Sequence, residues 1–282
     1  MRIGVIDVGS NTTRLLVANA GRDGLVPLDK EKVRLSLGGE IERFGGVSAV
    51  HIAAAVKAVR EMSLAARRKR VASLDVFLTA PGRQADNARE LVAALSRAAG
   101  VKARVLSKEE EGMLAYRGAV LTAGIELPPR IAVCDIGGAS TEIAVGSTDA
   151  EPDWIESVDL GSVRLTTRAG DMETEATDAF GHLEPPSVEA ALAVGGSARA
   201  ARRLVGSDLD DAALAEALRL VETSSSREIV RRFGVDRARA DILRGGVILL
   251  AEVQRRLGVP LHVCDGGIRE GAVLASLDAL AA

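Results

Sequence analysis

The chain has 282 residues, 47% of them hydrophobic and only 2% aromatic, so an aliphatic core of one large or two ordinary domains can form. Its formal net charge of −3 gives no overall field that recruits nucleic acid. No apolar run reaches the roughly 18–20 residues that a membrane span needs. Cys134 and Cys264 lie in apolar segments without a CxxC or Cys/His cluster, and a strand pattern begins at the first residues. Together these features predict a cytoplasmic protein without a signal peptide, with buried reduced thiols.

The first half of the chain predicts strands followed by alternating helices and strands. Residues 3–19 predict two strands joined by a short turn of small residues. The following elements are a strand at 32–37, a helix from Ser48, a strand at 74–80, a helix at 84–99 stopped by Gly100, a strand at 101–106 and a helix at 108–120.

The second half starts in the same way after a linker at 126–130. It continues with a strand hairpin at 131–147, a strand at 154–160, an insertion at 166–187 without clear periodicity, a strand–turn–helix at 189–200, helices within 211–257, a strand at 261–267 and a helix at 268–280. This alternation predicts mostly parallel sheets with helices on both faces.

An internal repeat relates the two halves. Residues 3–19 align without a gap onto residues 131–147, and six of the seventeen pairs are identical. Residues 103–115 and 262–275 form a second, weaker match, which contains a Glu-Gly pair in each copy. The repeat predicts two similar domains whose turns bracket a cleft suited to an anion.

Each copy of the repeat places an Asp at a strand end, followed by small residues. The turns read DVGSN from Asp7 and DIGGAST from Asp135. Small residues let consecutive backbone N–H groups approach an anion, whereas a carboxylate is better suited to Mg²⁺, directly or through water. A tight hairpin with Asp as a turn residue is the alternative for one copy, but two copies in register favour a ligand site.

Acidic and basic residues outside the turns supply further candidates. Glu109, Glu110 and Glu111 begin a predicted helix, where acids ordinarily complement the helix dipole. That helix also begins at the carboxyl end of a predicted parallel strand, where α/β proteins place their sites. Arginines that can contact phosphate occur in predicted turns, namely Arg83, Arg164 and Arg269. The glycine turn at 194–198 lacks GxGxxG spacing, and GxxxxGK[ST] is absent, which disfavours Rossmann and P-loop sites.

Taken in order, the motifs resemble the exopolyphosphatase/guanosine pentaphosphate phosphohydrolase family. The segments that carry the resemblance are IDVGSNTTRLLV, KVRLSLG, TAPGRQADN, VLSKEEEGMLAYRGAV, VCDIGGASTEIAVG, LGSVRL, VGGSAR and CDGGIREG. The resemblance implies an α/β protein of two duplicated actin-like ATPase (ribonuclease H-like) domains, at 1–125 and 126–282, with an interdomain cleft. The final helix could pack back on the first domain. The resemblance is to the short, two-domain form of the family.

The resemblance also implies roles for individual residues. The general base falls on Glu111, and the Mg²⁺-associated acids fall on Asp135 and Glu142, with Asp7 as the matching acid of the first turn. The phosphate-binding positions are Gly9, Ser10, Asn11, Arg83, Gly137, Gly138, Ala139, Ser140 and Arg269. Ala139 stands where the family usually has a third glycine, and would cost roughly 1 kcal/mol if that position needs a positive φ.

The implied activity is exopolyphosphatase, a metal-dependent hydrolase of the terminal phosphoanhydride of inorganic polyphosphate. The alternatives are removal of the 5′ γ-phosphate from guanosine pentaphosphate, which would place the enzyme in ppGpp metabolism, and a catalytically weak protein that senses polyphosphate or nucleotide. A sugar-kinase-like ATPase is disfavoured. The expected cofactor is Mg²⁺, no nucleic acid or membrane partner is expected, and a homodimer is left open.

Overall fold

The computed structural model describes residues 1–21 and 24–281. The strands are β1 (Arg2–Val8), β2 (Thr12–Gly21), β3 (Gly24–Arg34), β4 (Ser73–Leu78), β5 (Arg104–Val105), β6 (Arg130–Ile136), β7 (Thr141–Ser147), β8 (Pro152–Val158), β9 (Ala190–Val194), β10 (Asp208–Leu209) and β11 (Leu261–Val263). The helices are α1 (Leu37–Phe44), α2 (Ala49–Arg68), α3 (Ala80–Gln84), α4 (Ala88–Ala99), α5 (Lys108–Leu121), α6 (Ser162–Thr167), α7 (Met172–Phe180), α8 (Gly195–Val205), α9 (Asp211–Thr223), α10 (Ser226–Phe233), α11 (Arg237–Ala240), α12 (Leu243–Leu257) and α13 (Ile268–Ala281).

The strands form two mixed sheets with the same internal order. The first sheet runs β3-β2-β1-β4-β5, and the second runs β8-β7-β6-β9-β11 with β10 added beyond β11. In both sheets the first three strands pair antiparallel and the next two pairings are parallel. The duplication is therefore confirmed. The prediction of mostly parallel sheets is wrong, because each hairpin and its third strand pair antiparallel.

The chain divides into two compact units. The first comprises Met1–Leu114 and the chain from Ile268 onward, and the second comprises Ala115–Gly267. The division therefore falls inside α5, a continuous helix, rather than in the sequence-predicted linker at 126–130. Helix α13 belongs to the first unit, where Ile268 and Val273 share a core with Ile3 of β1.

Local sequence signals account for several helix boundaries. The Ser48 side chain accepts a hydrogen bond from the His51 N–H and begins α2, and Gly100, at φ 68°, ends α4. In α10, Ser225 and Glu228 form a reciprocal capping box. Within the described residues no helix is both long and apolar enough to cross a membrane.

The structure differs from the predicted elements where apolar periodicity is weak. The predicted strand at 32–37 ends at Arg34, because Ser36 turns in the left-handed region (φ 54°) and Leu37 begins α1. The insertion at 166–187 contains the end of α6 and all of α7, which buries only Ala176 and Phe180 and so shows little periodicity. The strand predicted at 101–106 is reduced to the two residues of β5.

Candidate functional site

The first turn of the repeat is held by its own backbone and by the segment that follows β3. The Gly9 N–H donates to the Thr12 carbonyl over 3.1 Å. The carbonyls of Ser10 and Asn11 accept hydrogen bonds of 2.8–3.1 Å from backbone N–H groups of residues 35–38. In a trans peptide a carbonyl and the next N–H point in opposite directions. The N–H groups of Asn11 and Thr12 are therefore directed away from residues 35–38.

The second turn repeats this arrangement in the other unit. The Gly137 N–H donates to the Ser140 carbonyl over 3.0 Å, as at the matching position of the first turn. The carbonyls of Gly137 and Gly138 accept hydrogen bonds of 2.9–3.1 Å from N–H groups of residues 162–164 at the start of α6. The N–H groups of Gly138 and Ala139 consequently point away from α6. Two turns with backbone donors directed outward are what an anion site requires.

Ala139 fits the second turn without backbone strain. Among the described non-glycine residues, positive φ angles occur at Ser36 and Arg70, so Ala139 does not need the freedom of a glycine. Gly161 does matter here, because a side-chain carbon at that position would lie 2.5 Å from the Gly138 carbonyl carbon and 2.6 Å from the Ala139 nitrogen. The missing side chain lets the backbone before α6 lie directly against the turn.

Three side chains of the second sheet form a transverse row, which we call the second-unit row: Asp135, Glu142 and Ser157. They are direct cross-strand partners on β6, β7 and β8, and therefore share one face of the sheet. Glu142 is only 2% exposed, and its Oε1 accepts a 2.9 Å hydrogen bond from Ser157 Oγ. A side-chain carbon at Gly195 would lie 2.5 Å from Asp135 Oδ1, so the glycine at the start of α8 leaves room for this carboxylate.

The matching first-unit row has a different charge. It consists of Asp7, Arg14 and Lys32, which are direct partners across β1, β2 and β3. Arg14 Nε also donates to Thr12 Oγ1 over 3.1 Å. Arg14 thus occupies the repeat position that Glu142 occupies in the second unit. Asp7 faces cations, whereas Asp135 faces a second carboxylate.

The three glutamates of α5 have separate environments. Glu110 and Ser107 form a capping box, with hydrogen bonds of 2.8 and 3.1 Å between each side chain and the other's backbone N–H. Glu109 is exposed, and hydrogen bonds from its own backbone N–H and from Ser107 hold its pKa below the ordinary value. Glu111 is buried at 8% exposure and forms an ion pair with Arg83, whose Nη1 lies 2.6 Å from Oε2.

Arg83 has donors left over after this ion pair. Its Nη1 also donates to the Leu106 carbonyl over 2.9 Å, whereas its Nε and Nη2 are buried without a hydrogen-bond partner. The Nε–Nη2 edge of a guanidinium matches two oxygens of a phosphate or carboxylate. Because unsatisfied buried donors are costly, this edge indicates that an oxyanion belongs beside Arg83.

The sequence predicted the three candidate arginines in turns, and this is wrong, because all three lie in helices. Arg83 and Arg164 lie in the last turns of the short helices α3 and α6, and Arg269 is the second residue of α13. Helix α3 fits tightly in the first unit, because a side-chain carbon at Gly82 would lie 2.8 Å from a Val105 methyl group. Arg164 donates from Nη1 to the Asp159 carbonyl over 2.8 Å. Arg269 is half-buried.

Residues 16–192, more than half of the chain's length, match the profile of the Ppx/GppA phosphatase family. The chain belongs to the Ppx/GppA phosphatase family. The resemblance found in the motifs is thereby confirmed, as is the prediction of an enzyme, a hydrolase of the Ppx/GppA phosphatase type.

Individual relatives within the Ppx/GppA family cover most of the chain. Exopolyphosphatase 1 of Mycobacterium tuberculosis is 29% identical over 99% of this chain and 89% of the relative. Exopolyphosphatase 2 of the same organism is 31% identical over 79% of this chain and 66% of the relative. The crystal structure of the Aquifex aeolicus Ppx/GppA family member superposes with a TM-score of 0.84 at 22% identity, covering 99% of this chain and 98% of that one. The predicted fold class, two duplicated actin-like α/β domains, is confirmed.

The structure adds site residues that the sequence analysis of this Ppx/GppA member missed. Arg239 of α11 lies 3.3 Å from the hydroxyls of both Ser162 and Ser197, and Ser162 Oγ donates to the Gly137 carbonyl over 3.1 Å. A side-chain carbon at Gly196 would overlap the Arg239 guanidinium. Arg239 therefore holds Ser162, which in turn hydrogen-bonds to the second turn. No motif in the sequence marks it, whereas Ser157 could have been found by pairing the third strand with Glu142.

The donor set of the second-unit row suits a hard divalent cation. Asp135 and Glu142 offer carboxylate oxygens from neighbouring strands on one sheet face. Over residues 1–21 and 24–281, no group of three or more His, Cys, Asp or Glu side chains is arranged to hold a metal. Mg²⁺ is commonly bound through one or two carboxylates together with substrate phosphates and water. The residues therefore fit Mg²⁺ that is bound with phosphate rather than in an all-protein cage.

Proposed function

We propose that this Ppx/GppA family member is an exopolyphosphatase that hydrolyses the terminal phosphoanhydride bond of inorganic polyphosphate in the presence of Mg²⁺. The observation that carries the proposal is the environment of Glu111, a buried carboxylate in the first turn of α5, paired with an arginine that has unsatisfied donors. Relatives that bear the name exopolyphosphatase support polyphosphate as the substrate.

In the proposed reaction, Glu111 is the general base. Its carboxylate accepts a proton from water as that water attacks the terminal phosphorus in line with the leaving oxygen. Arg83 holds Glu111 through Nη1 and offers its Nε–Nη2 edge to oxygens of the terminal phosphate. One guanidinium can thereby fix the base relative to the phosphate that reacts.

Backbone donors and carboxylates of each unit supply the other proposed contacts. In the first unit, the turn at Gly9–Asn11 binds phosphate oxygens through its N–H groups, Arg269 adds a positive charge, and Asp7, which faces Arg14, contacts Mg²⁺ only through water. In the second unit, the turn at Gly137–Ser140 binds phosphate oxygens in the same way, and Asp135 and Glu142 are the proposed Mg²⁺ ligands. Mg²⁺, when bound, supplies charge neutralisation at the phosphoryl oxygens. The free, buried thiols of Cys134 and Cys264 support the reducing cytoplasm as the compartment.

Removal of the 5′ γ-phosphate from guanosine pentaphosphate is the alternative reaction, because the same base and turns could act on any terminal phosphoanhydride. A catalytically weak sensor is less well supported. A strained alanine in the second turn would favour such a sensor, but Ala139 is not among the described non-glycine residues with a positive φ.

The deciding experiment is phosphate release from long-chain polyphosphate, guanosine pentaphosphate and ATP, each with Mg²⁺ and with EDTA. We expect Mg²⁺-dependent release with the highest kcat/KM on polyphosphate. A higher kcat/KM on guanosine pentaphosphate would replace the proposed substrate with the alternative. Tight binding of polyphosphate without release from any substrate would indicate the sensor instead.

A further inference from the structure

Arg239 of α11 contacts the segment that holds the second turn. Its Nη1 donates to Ser162 Oγ, at the start of α6, and to Ser197 Oγ, in the first turn of α8, each over 3.3 Å. Both serines are fully buried, and Arg239 is half-buried. All three residues belong to the second unit. The guanidinium therefore joins the starts of two helices that follow different strands of the second sheet.

The contact with Ser162 continues to one peptide group of the turn. The Gly137 carbonyl accepts a hydrogen bond from Ser162 Oγ over 3.1 Å and another from the Ser162 N–H over 3.0 Å. This carbonyl and the Gly138 N–H share one planar trans peptide, so the direction of one fixes the direction of the other. Hydrogen bonds in a chain polarise one another, and a charged donor strengthens its own bond. A change at Arg239 therefore reaches the Gly138 N–H, one of the proposed phosphate donors.

An ordinary helix-capping role does not account for the position of Arg239. Cations stabilise helix C-termini, as Arg256 does at the end of α7, where it donates to the carbonyls of Thr177 and Gly181 over 3.4 and 3.3 Å. Arg239 instead contacts the first turns of α6 and α8, where the helix dipole disfavours a cation. A negatively charged phosphate at the second turn would offset this cost.

Close packing holds the guanidinium and the serines in place. A side-chain carbon at Gly196 of α8 would overlap the Arg239 guanidinium, and one at Gly246 of α12 would lie 2.7 Å from Ser197 Oγ. The two glycines let α8 and α12 lie directly against these groups. A side chain that is fixed in this way can transmit its position to the group that it contacts.

Helix α11 belongs to a segment by which the second unit is longer than the first. Between β4 and β5, the described chain forms α3 and α4, whereas between β9 and β11 it forms the five helices α8–α12 together with β10. The duplicated plan of the sheets therefore does not by itself require Arg239. A role at the second turn gives this arginine a function that the fold alone does not.

We propose that Arg239 is a positioning residue for phosphate binding at the second turn, and that it acts through Ser162. This inference rests on the proposed function and extends its set of residues to α11. Loss of the guanidinium frees the Ser162 hydroxyl to rotate and loosens the Gly137 peptide, while the proposed general base is unchanged. The effect should therefore appear in Kd and KM more than in kcat.

A double-mutant cycle tests the route through Ser162. The variants are Arg239→Gln, Ser162→Ala and both together, and calorimetry in EDTA measures Kd for tripolyphosphate. We expect Kd to rise about tenfold in each single variant and about tenfold in the double variant, rather than the roughly hundredfold of independent effects. With Mg²⁺ and polyphosphate, KM should rise by a similar factor, and kcat should stay within about threefold of the parent.

Two control variants separate positioning from a general loss of stability. Ser197→Ala removes the other hydroxyl that Arg239 contacts, but no hydrogen bond to the turn. Arg237→Gln removes an exposed arginine of the same helix, which pairs with Asp241 at 3.1 Å. Both should bind tripolyphosphate within about twofold of the parent, whatever their urea unfolding shows. Arg239→Lys keeps the charge and should raise Kd only about threefold.

The outcomes separate this inference from the proposed function. Independent effects in the cycle, a parental Kd in Arg239→Gln, or equal weakening by Arg237→Gln would each overturn the positioning role. If Arg239→Gln does not fold, the cycle is run with Arg239→Lys, and a further rise of Kd in the Ser162→Ala background would overturn it. A parent that binds tripolyphosphate but releases no phosphate from polyphosphate would overturn the proposed function alone. A parent that binds tripolyphosphate neither in EDTA nor with Mg²⁺ would overturn both.

Discussion

The two units share a backbone plan and differ in the charge of one transverse row of side chains. The first-unit row is Asp7, Arg14 and Lys32, and the second-unit row is Asp135, Glu142 and Ser157. Counted as formal charges, the first row is net positive and the second is net negative. One row suits a phosphate anion, and the other suits the cation that accompanies phosphate.

The backbone of both turns is preserved although the side chains differ. Each turn has the same internal N–H to carbonyl hydrogen bond, of 3.1 Å at Gly9 and 3.0 Å at Gly137. In each, the carbonyls are bonded by a segment at the start of a following helix, residues 35–38 or 162–164. Both turns share the outward N–H groups. The two units differ in the charge of the residue on the strand that follows each turn, which is Arg14 in the first unit and Glu142 in the second.

The largest expected effect is that of Glu111→Gln, because it removes the proposed base and leaves both rows unchanged. The amide keeps the size of the side chain but cannot accept the proton, so hydrolysis should fall about 10²–10⁴-fold. Polyphosphate affinity should be retained. Steady-state phosphate release together with calorimetric binding measures both quantities.

Glu110→Gln is the matched control for this prediction. Its side chain belongs to the capping box with Ser107, which glutamine can also form, so the variant should keep α5 and leave turnover close to that of the parent. A large loss of turnover in Glu110→Gln, with near-normal turnover in Glu111→Gln, would move the base by one position.

The next largest effect is on Mg²⁺ activation, in which the first-unit and second-unit rows should differ. Asp135→Asn should weaken Mg²⁺ activation about 10–100-fold, because it removes one of two proposed carboxylate ligands. Asp7→Asn, the same change in the first-unit row, should leave the Mg²⁺ midpoint within about twofold. Titration of activity with Mg²⁺, together with Mn²⁺ binding followed by electron paramagnetic resonance, compares the two variants. Equal shifts in both would contradict a metal site in the second unit alone.

Sequence reasoning reached the parts of the site whose information is local. The repeat identified both turns, and the predicted helix start after a strand identified Glu109, Glu110 and Glu111 as candidates. The structure separates the environments of these three glutamates, and the catalytic role of Glu111 stays a prediction. The position of Arg83 within α3 was not predicted, because a Pro-Gly pair reads as a turn.

The remaining site contacts depend on tertiary structure. The ion pair between Arg83 and Glu111 joins residues 28 positions apart, and the contact of Arg239 with Ser162 joins residues 77 apart. Helix α7 was missed because its N-cap, Asp171, precedes a segment that buries few apolar residues. Such contacts are determined by packing, and a single sequence carries no local signal for them.

A smaller effect tests whether both turns depend on close backbone contact. A side-chain carbon at Gly38 would lie 2.7 Å from Ser10 Cβ, and one at Gly161 would lie 2.5 Å from the Gly138 carbonyl carbon. Gly38→Ala and Gly161→Ala should each lower the free energy of unfolding by about 1–3 kcal/mol. Gly39→Ala is the control, because its added carbon meets no atom within 4 Å. Destabilisation by Gly39→Ala equal to that of its neighbour would rule out contact with the turn as the cause.

The smallest expected effect is a pH dependence of stability that comes from the two buried cysteines of the second unit. Both cysteines lie in the second unit, and the repeat counterpart of Cys134 in the first unit is Ile6. Burial raises the pKa of Cys264 to about 12 and also raises that of Cys134. An unfolded thiol has a pKa of about 8.5, so the folded state binds more protons between these values. The two thiols therefore make their full contribution to the free energy of unfolding below pH about 8.5, and this contribution is lost as the pH rises toward 12. Urea unfolding from pH 7 to 10 should show this loss in the parent and a smaller loss in Cys134→Ala/Cys264→Ala.

Because the thiolate is the reactive form, both thiols should react with a disulfide reagent only after unfolding. Rapid labelling of the folded protein at pH 8 would contradict their burial.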